Sequence, residues 1–379
     1  MALKGIKVLE FAGLAPGPYC GMILSDFGAI VTRVDRIIEN PIDCLGKGKR
    51  TIAIDIKNEK GQELVRALSK TSDVLIEPYR PGVMEKLNLG PDILLKENPR
   101  LIYARLTGFG QTGPLAKRAG HDINYVAMSG VLSMLGKSNE PPTAPINLLA
   151  DFAGGGLLCA FGILAALLER HHSGKGQIVD CSMTEGAAYV ASWLTRSREL
   201  PIWSAGRGKN ILDGGAFYYG TYETSDGKYM SVGALEPQFY SEFMRILKLD
   251  FDQFDSNTDR CRDEIQRIFK TKTQNEWSKL FENVDACVFP VLDWQNADQH
   301  PHNIARQSFV PKELTDGSVV TPTPAPLLSR TPAVSSSKCD SEDYIKQLDE
   351  IFKDAGLSTD DIRKYHTEGA LVLPNNSKL

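Results

Sequence analysis

The sequence lacks most of the features that assign a chain of 379 residues to a common class. Its seven cysteines form no CxxC pair and no zinc-type spacing, which indicates free thiols in a reducing or neutral compartment. It has no GxSxG motif, so the usual signal of an α/β-hydrolase is missing. Its 43 Lys and Arg are interspersed with 47 Asp and Glu, and we therefore expect no surface for nucleic acid.

Long hydrophobic runs are also scarce. The chain runs from Met1 directly into a strand pattern, so no secretory signal is expected. The longest apolar run, residues 152–168, is short for a bilayer span and rich in glycine at its start. We predict a buried helix there and no membrane span.

The tripeptide Ser377-Lys378-Leu379 has the form of a peroxisomal address when it ends a chain. It predicts a peroxisomal location and binding to the peroxisomal import receptor. The alternative is coincidence in a polar tail. Whether a mitochondrial pool also exists is left open by the sequence.

The first half of the chain alternates between short β-branched runs and helical patterns. Strands are predicted at 6–11, 29–35, 51–56, 73–77, 101–106 and 177–183, and helices at 17–27, 59–68, 91–98 and 151–170. This alternation predicts an α/β fold with a mostly parallel, doubly wound sheet.

The middle of the chain has a different character. Asp226-Gly227 provides the turn of a predicted hairpin, and helical patterns follow it. We predict a large α/β domain at 1–190 that is completed by 325–379, a linker at 191–217, a small α+β domain at 218–305 and a return linker at 306–324. The role of a charged helical tail at 341–355 is left open.

Two motifs that suggest a cofactor or a metal fail on inspection. Gly108-Phe109-Gly110-Gln111-Thr112-Gly113 matches GxGxxG, but Pro114 follows at once and no helix pattern begins there. His300 and His302 have no third ligand at metal spacing. We expect neither nicotinamide nor metal.

His121 and Asp151 are the strongest catalytic candidates. An imidazole and a carboxylate, each near glycine, suit removal of a proton from one face of a carbon and its return to the other. Asp151 precedes an apolar helix pattern and could equally be its N-cap, and His121 could be a structural histidine. The N–H groups at the start of that helix are expected to hold an anionic oxygen.

Arg36 follows the second predicted strand. Ligands of open α/β sheets bind at the carboxyl ends of the strands, where an arginine can hold a phosphate. A solvated surface arginine is the equal alternative.

Taken together, several stretches resemble the family III CoA transferases. They are Gly13-Leu14-Ala15-Pro16-Gly17-Pro18, Arg33-Val34-Asp35-Arg36, Val74-Leu75-Ile76-Glu77 with Tyr79-Arg80-Pro81-Gly82, the run from Gly108 to Pro114, and the stretches around His121 and Asp151. Gly120-His121-Asp122-Ile123-Asn124-Tyr125, Leu212-Asp213-Gly214-Gly215 and the run from Ala234 to Tyr240 resemble the racemases within that family. The resemblance runs from the first strand to about Pro326.

The resemblance implies an interlocked homodimer with a CoA-binding large domain and a small domain. His121 and Asp151 match the family's two bases, and Glu236 matches the residue that pairs with the histidine from the partner subunit. Acyl-CoA-binding positions are matched by Arg36, Ile54, Asp55, Ile56, Lys57, Gly120, His121, Asp122, Ile123, Asn124 and Tyr125.

The activity implied is inversion of the α-carbon of 2-methyl-branched acyl-CoA thioesters through an enolate. It needs no metal, flavin or nicotinamide. CoA is not a cofactor here, because it is part of the substrate. Branched fatty acyl and sterol side-chain esters, the latter used in bile acid metabolism, both fit. One alternative is a CoA transferase with Asp151 as nucleophile, and another is a CoA-ester carrier without turnover.

Overall fold

A computed structural model describes residues 1–40, 42–311, 320–335 and 343–374, and it divides the chain into two compact units. The larger unit contains residues 1–131, 145–191 and 302–379, and the smaller unit contains residues 132–144 and 192–301. The predicted address Ser377-Lys378-Leu379 lies outside the described residues.

A six-stranded parallel sheet forms the centre of the larger unit, with the strand order β3-β2-β1-β4-β5-β6. Its strands are β1 (Lys7–Phe11), β2 (Ile30–Asp35), β3 (Arg50–Ala53), β4 (Val74–Glu77), β5 (Ile102–Thr107) and β6 (Ile178–Ser182). The mixed α/β fold with a parallel sheet is therefore confirmed. The strand predicted at 51–56 is shorter than expected, because it ends at Ala53.

Helices connect these strands in the larger unit. They are α1 (Pro16–Asp26), α2 (Glu59–Lys70), α3 (Val83–Lys86), α4 (Pro91–Glu97), α5 (Asp122–Met128), α6 (Leu158–Ser173) and α7 (Met183–Val190). A π-helical segment, Leu148–Leu157, leads directly into α6.

Alternation along β1 shows that both faces of the sheet are covered. Leu9 and Phe11 are buried in a core that also contains Leu64 of α2. Glu10 points to the other face, where α1 needs a glycine: a Cβ on Gly21 would lie 1.6 Å from Glu10 Oε2. Since strand residues alternate between faces, these contacts place helices on both faces of the sheet, as in a doubly wound fold.

The continuous helix Leu148–Ser173 has an apolar surface that the chain itself leaves open. It is the one helix among the described residues with the length and composition of a membrane span, and 39% of its most apolar window is buried. The prediction of a buried helix at 152–168 is therefore wrong for its outer face. Leu157, Phe161, Leu164 and Leu168, spaced three or four residues apart, are 40–66% exposed.

The charged tail is part of the larger unit. It contains α13 (Tyr344–Asp354) and α14 (Thr359–Thr367), numbered after the helices of the smaller unit and its return segment. Leu348, Ile351 and Phe352 are buried against the sheet. Beyond α14 the chain runs beside β3, where Val372 N–H donates to Ala53 O (2.9 Å) and Asp55 N–H donates to Ala370 O (2.9 Å).

The smaller unit is α+β. Its antiparallel sheet, with the order β7-β8-β9, packs against helices around a separate aromatic core. Its elements are α8 (Ser192–Arg196), β7 (Tyr219–Glu223), β8 (Tyr229–Gly233), α9 (Pro237–Leu247), α10 (Thr258–Phe269), α11 (Gln274–Phe281) and β9 (Val288–Pro290). The return segment carries α12 (Pro301–Arg306), β10 (Phe309–Val310) and β11 (Thr321–Pro322).

Three segments group differently from the boundaries predicted from the sequence. Residues 302–324, predicted as the end of the small domain and a return linker, belong to the larger unit. Residues 192–217, predicted as a linker, belong to the smaller unit, and Phe217 is fully buried in its core. Residues 132–144 also belong to it, because the guanidinium of Arg207 donates to the carbonyl oxygens of Ser133, Lys137 and Glu140.

Candidate active site

His121 occupies the N-cap position of α5 and is exposed. Its backbone is fixed in both directions by Asn124. The N–H of His121 donates to Asn124 Oδ1 (3.0 Å), and the N–H of Asn124 donates to His121 O (2.8 Å). The backbone of His121 is therefore anchored while its ring is open to solvent.

Asp151 lies inside the π-helical segment, and the N-cap position is taken by Asn147. The interpretation of Asp151 as an N-cap is therefore wrong. Asn147 Nδ2 donates to Asp151 Oδ2 at 3.4 Å. π-Helical turns occur mostly as bulges inside α-helices, and they are frequent at functional sites. This placement of Asp151 is therefore compatible with a catalytic role.

Asp122 connects the two candidate bases. It directly follows His121, is 4% exposed, and its Oδ2 accepts the N–H groups of Ala150 and Asp151, both at 2.8 Å. These two amides cannot also hold an anionic oxygen of a substrate, so they are not available as the oxyanion donors predicted at the start of the Asp151 helix. The Oδ2 of Asp122 is committed to these two amides, whereas its Oδ1 has no donor within the described residues.

The electrostatic surroundings of Asp151 favour its protonated form. Its partial burial raises the pKa of Asp151, and the negative charge of Asp122 raises it further. The hydrogen bond from Asn147 and the positive charge of His121 oppose this rise without cancelling it. A carboxyl group with a raised pKa is better suited to carry a proton at neutral pH.

Glycines let the Asp151 segment pack backbone to backbone against α7. A Cβ on Gly154 would lie 2.5 Å from Ala187 N, and a Cβ on Gly186 would lie 1.9 Å from Gly154 O. Neither position has room for a larger residue. The run Gly154-Gly155-Gly156 therefore fixes the segment that carries Asp151.

The GxGxxG motif has a packing role. The ring of Tyr125 in α5 lies where a side chain on Gly108 or Gly120 would be, 2.1 and 2.7 Å from the respective Cβ positions. The Tyr125 hydroxyl donates to Gly120 O. These two glycines thus make room for the ring of Tyr125 in the helix that follows His121.

A cavity of about 80 Å³ opens at the carboxyl ends of β1, β2 and β3. Its lining includes Arg36, Ile54, Ile56 and Tyr79, together with Phe11, Ala12, Val34 and Asp35. Arg36 is exposed, and its N–H donates to Asp35 Oδ1 (2.6 Å). Three of the predicted acyl-CoA positions therefore meet in one place.

The other two predicted positions of this segment, Asp55 and Lys57, are exposed. The Oδ1 of Asp55 accepts the N–H of Lys57 (3.0 Å), which closes a turn and leaves the Lys57 ammonium in solvent. Ile123 and Asn124 in the first turn of α5 are exposed as well.

Glu236 belongs to the smaller unit, where it is the N-cap residue of α9. It is exposed, and its carboxylate makes no hydrogen bond or ion pair within the described part of the chain. One chain alone therefore leaves this acid available to a group outside its own unit.

Two further residues lie near the predicted site residues without having been predicted as part of the site, Arg80 and Asn147. Arg80 is exposed and close enough to Tyr125 that its positive charge opposes the burial that raises the pKa of Tyr125. Arg80 lies three residues after the end of β4, and a cation placed after a strand of an open sheet was the available signal. The contact of Asn147 with Asp151 has no such signal, because it depends on the π-helical register.

Groups of three or more His, Cys, Asp or Glu with metal-binding geometry are absent from the described ranges. The six cysteines among them are free thiols, and no site residue is a cysteine.

Comparison with known proteins gives consistent matches. The family model for CoA-transferase family III matches residues 3–339. Alpha-methylacyl-CoA racemase of Homo sapiens is 50% identical over 97% of both chains, and that of Mus musculus is 49% identical over 97% of both. Among solved structures, a CAIB/BAIF family protein from Brucella suis has a TM-score of 0.73 at 27% identity, covering 89% of this chain and 96% of its own.

Proposed function

Since the chain belongs to CoA-transferase family III, we propose that it is an isomerase that inverts the α-carbon of 2-methyl-branched acyl-CoA thioesters. It is 50% and 49% identical to two racemases over 97% of its length, and this similarity supports the activity. The structural observation that carries it is the coupling of His121 and Asp151 within one unit, each on its own element and joined by Asp122.

The reaction is a two-base proton transfer. One base removes the α-proton, and the electron pair of the broken C–H bond moves into the thioester carbonyl to give an enolate. The conjugate acid of the other base then donates a proton to the opposite face of the carbon. His121 and Asp151 exchange roles for the two epimers, and each such transfer contributes about 10²–10⁴-fold to the rate.

The enolate oxygen needs donors other than those predicted. The N–H groups of Asp122 and Ile123 open α5 directly after His121, and neither has an acceptor among the described residues. They are the candidates for this role, because a backbone donor aimed at the developing charge stabilises it.

The cavity at the carboxyl ends of β1–β3 suits the nucleotide portion of CoA. Ile56 and Tyr79, both partly exposed, offer apolar surface for a base, and Arg36 offers a charged fork for phosphate. The exposed Lys57 adds a second cation at the same edge. CoA enters only as part of the substrate, and the reaction as written uses no other cofactor.

The rival activity is transfer of CoA with Asp151 as the nucleophile. Both activities use the ionised carboxylate of Asp151 at one step, so the raised pKa of this group does not separate them. A transferase has no use for a second base, whereas His121 supplies one. His121 therefore favours proton transfer.

A deuterium-exchange experiment tests the proposal. One pure epimer of a 2-methylacyl-CoA is incubated with the protein in D₂O, and we expect both epimers with deuterium at C2. Absence of exchange, together with passage of CoA to an added carboxylic acid, would replace the isomerase with a transferase. Binding without either reaction would indicate a carrier.

The proposal includes a homodimer. The stripe formed by Leu157, Phe161, Leu164 and Leu168 is too apolar to remain in water. A second copy of the chain would cover it, and Glu236 of the second copy would orient the exposed imidazole of His121. Charged substitution of Phe161 should yield monomers by sedimentation and abolish turnover, while Leu280→Glu, on an exposed leucine of the smaller unit, should do neither.

The proposed location is the peroxisome, through binding of Ser377-Lys378-Leu379 to the import receptor. A fluorescent fusion at the amino terminus should be punctate, and removal of this tripeptide should disperse it. Residual signal in mitochondria would reveal a second pool.

A further inference from the structure

Asp122 combines three features that a helix cap does not require. It is 4% exposed, it directly follows one candidate base, and its Oδ2 accepts the N–H groups of Ala150 and of the other base, Asp151, at 2.8 Å each. Its Oδ1 is also buried, and no donor reaches it within the described residues.

The unpartnered Oδ1 indicates that capping alone does not explain an acid here. A buried polar atom without a partner is unfavourable. An asparagine could cap the same two N–H groups with one oxygen and would bury no charge. The charge of Asp122 therefore adds a second effect to the two hydrogen bonds, because it also raises the pKa of Asp151.

The contact spans two elements that would otherwise move separately. His121 and Asp122 open α5, whereas Ala150 and Asp151 lie in the π-helical segment, 28 and 29 residues later in the chain. Between them, residues 132–144 leave the larger unit and join the smaller one. The stretch of chain that joins the two bases therefore leaves their unit at residues 132–144.

We propose that Asp122 is a positioning residue: its buried carboxylate fixes the backbone of Asp151 at the helix that carries His121 and so sets the spacing of the two bases. This inference rests on the proposed function and deepens it. Proton transfer to opposite faces of one carbon demands a fixed spacing, because a misplacement of about 1 Å can reduce a rate about 100-fold.

Two substitutions separate geometry from charge. Asp122→Asn keeps an acceptor for the two amides and removes the charge, whereas Asp122→Ala removes both. We expect Asp122→Ala to lower kcat about 100-fold, with KM for the acyl-CoA changed less than about twofold. Asp122→Asn should restore most of the geometry and show a smaller fall in kcat.

Asp180→Asn is the matched control, because the Oδ2 of Asp180 also accepts a backbone N–H, that of Gln111 at 3.1 Å. This variant should retain wild-type kcat. Unchanged kcat in Asp122→Ala would overturn the proposal, as would a parallel change in kcat and KM that Asp180→Asn reproduces.

Hydrogen exchange by mass spectrometry gives a readout that does not need turnover. Peptides covering residues 148–157 should lose amide protection in Asp122→Ala and keep it in Asp122→Asn. Equal protection in all variants would overturn the proposal even if the enzyme is active. A wild-type protein that neither exchanges the α-proton of the substrate with solvent nor racemises the substrate would instead contradict the proposed function. The amide-protection data would still test the role of Asp122.

Discussion

The segments that carry the two candidate bases are built differently. Asp151 is half-buried in a π-helical segment that packs against α7 through Gly154 and Gly186 and is held by a buried acid. His121 stands at the exposed start of α5, where its backbone is held by Asn124 and its ring is open. The surroundings of Asp151 are formed within a single chain, whereas none of the described residues of the larger unit forms a hydrogen bond with the ring of His121.

This contrast suggests how the two protonation states are controlled. The environment of Asp151 is set by folding, because burial and Asp122 are both intrinsic to the larger unit. The environment of His121 would be completed only by assembly, if Glu236 of a second subunit reaches it. A base that depends on assembly and a base that depends on packing should therefore respond differently to substitution.

Loss of the exposed base should have the largest effect on turnover and almost none on folding. His121→Ala should lower solvent deuterium exchange by about 10²–10⁴-fold, because a general base is removed. The melting temperature and acyl-CoA binding by calorimetry should be close to wild type. His172→Ala, on an exposed histidine in the last turn of α6, is the control. An equal loss of folding would make His121 structural.

A substitution on the packed side should affect folding and turnover together. Gly186→Ala places a Cβ 1.9 Å from Gly154 O, so the π-helical segment and α7 must separate. We expect a loss of about 1–3 kcal/mol in the free energy of unfolding, measured with denaturant, together with reduced exchange. Gly206→Ala, whose Cβ would meet nothing within 4 Å, should change neither. Wild-type stability in Gly186→Ala would contradict the close packing.

The smallest expected effect is a shift in pH dependence. The profile of kcat/KM should be bell-shaped, and its acid limb should lie above the ordinary range of an aspartate, because the pKa of Asp151 is raised. Asn147→Ala removes a weak hydrogen bond that lowers this pKa, so the limb should move to higher pH. The rate at neutral pH should change about twofold, as expected for a contact worth about 0.5 kcal/mol. A limb that moves to lower pH would contradict the assignment to Asp151.

The parallel sheet could be predicted from the sequence because its strands are short apolar runs separated by helices. Each strand is marked by its own local sequence pattern, and β1 to β6 occur along the chain in the predicted order. The end of β3 could not be placed, because the chain stays extended at Ile54, whose N–H still donates to Asp35 O of β2 and which also pairs with Leu371.

The residues of the candidate site could be proposed from the sequence, whereas the contacts among them could not. His121 and Asp151 could be singled out by residue type and neighbouring glycines, and they remain predicted catalytic residues. The role of Asp122 depends on amides 28 and 29 residues away, and no local pattern reports such a contact. The apolar face of Leu148–Ser173 was interpreted as buried, because composition alone does not tell a core from an interface.

The pairing of the tail with β3 also bears on the order of folding. Tyr344 accepts the N–H of Ala53 through its hydroxyl, across 291 residues of sequence, and the tail covers an edge that would otherwise be open to another strand. That edge is synthesised early and stays uncovered until the smaller unit and the tail have left the ribosome. The nascent chain therefore passes through a long aggregation-prone interval, and we expect its yield in cells to depend on chaperones that shield β3 until the tail arrives.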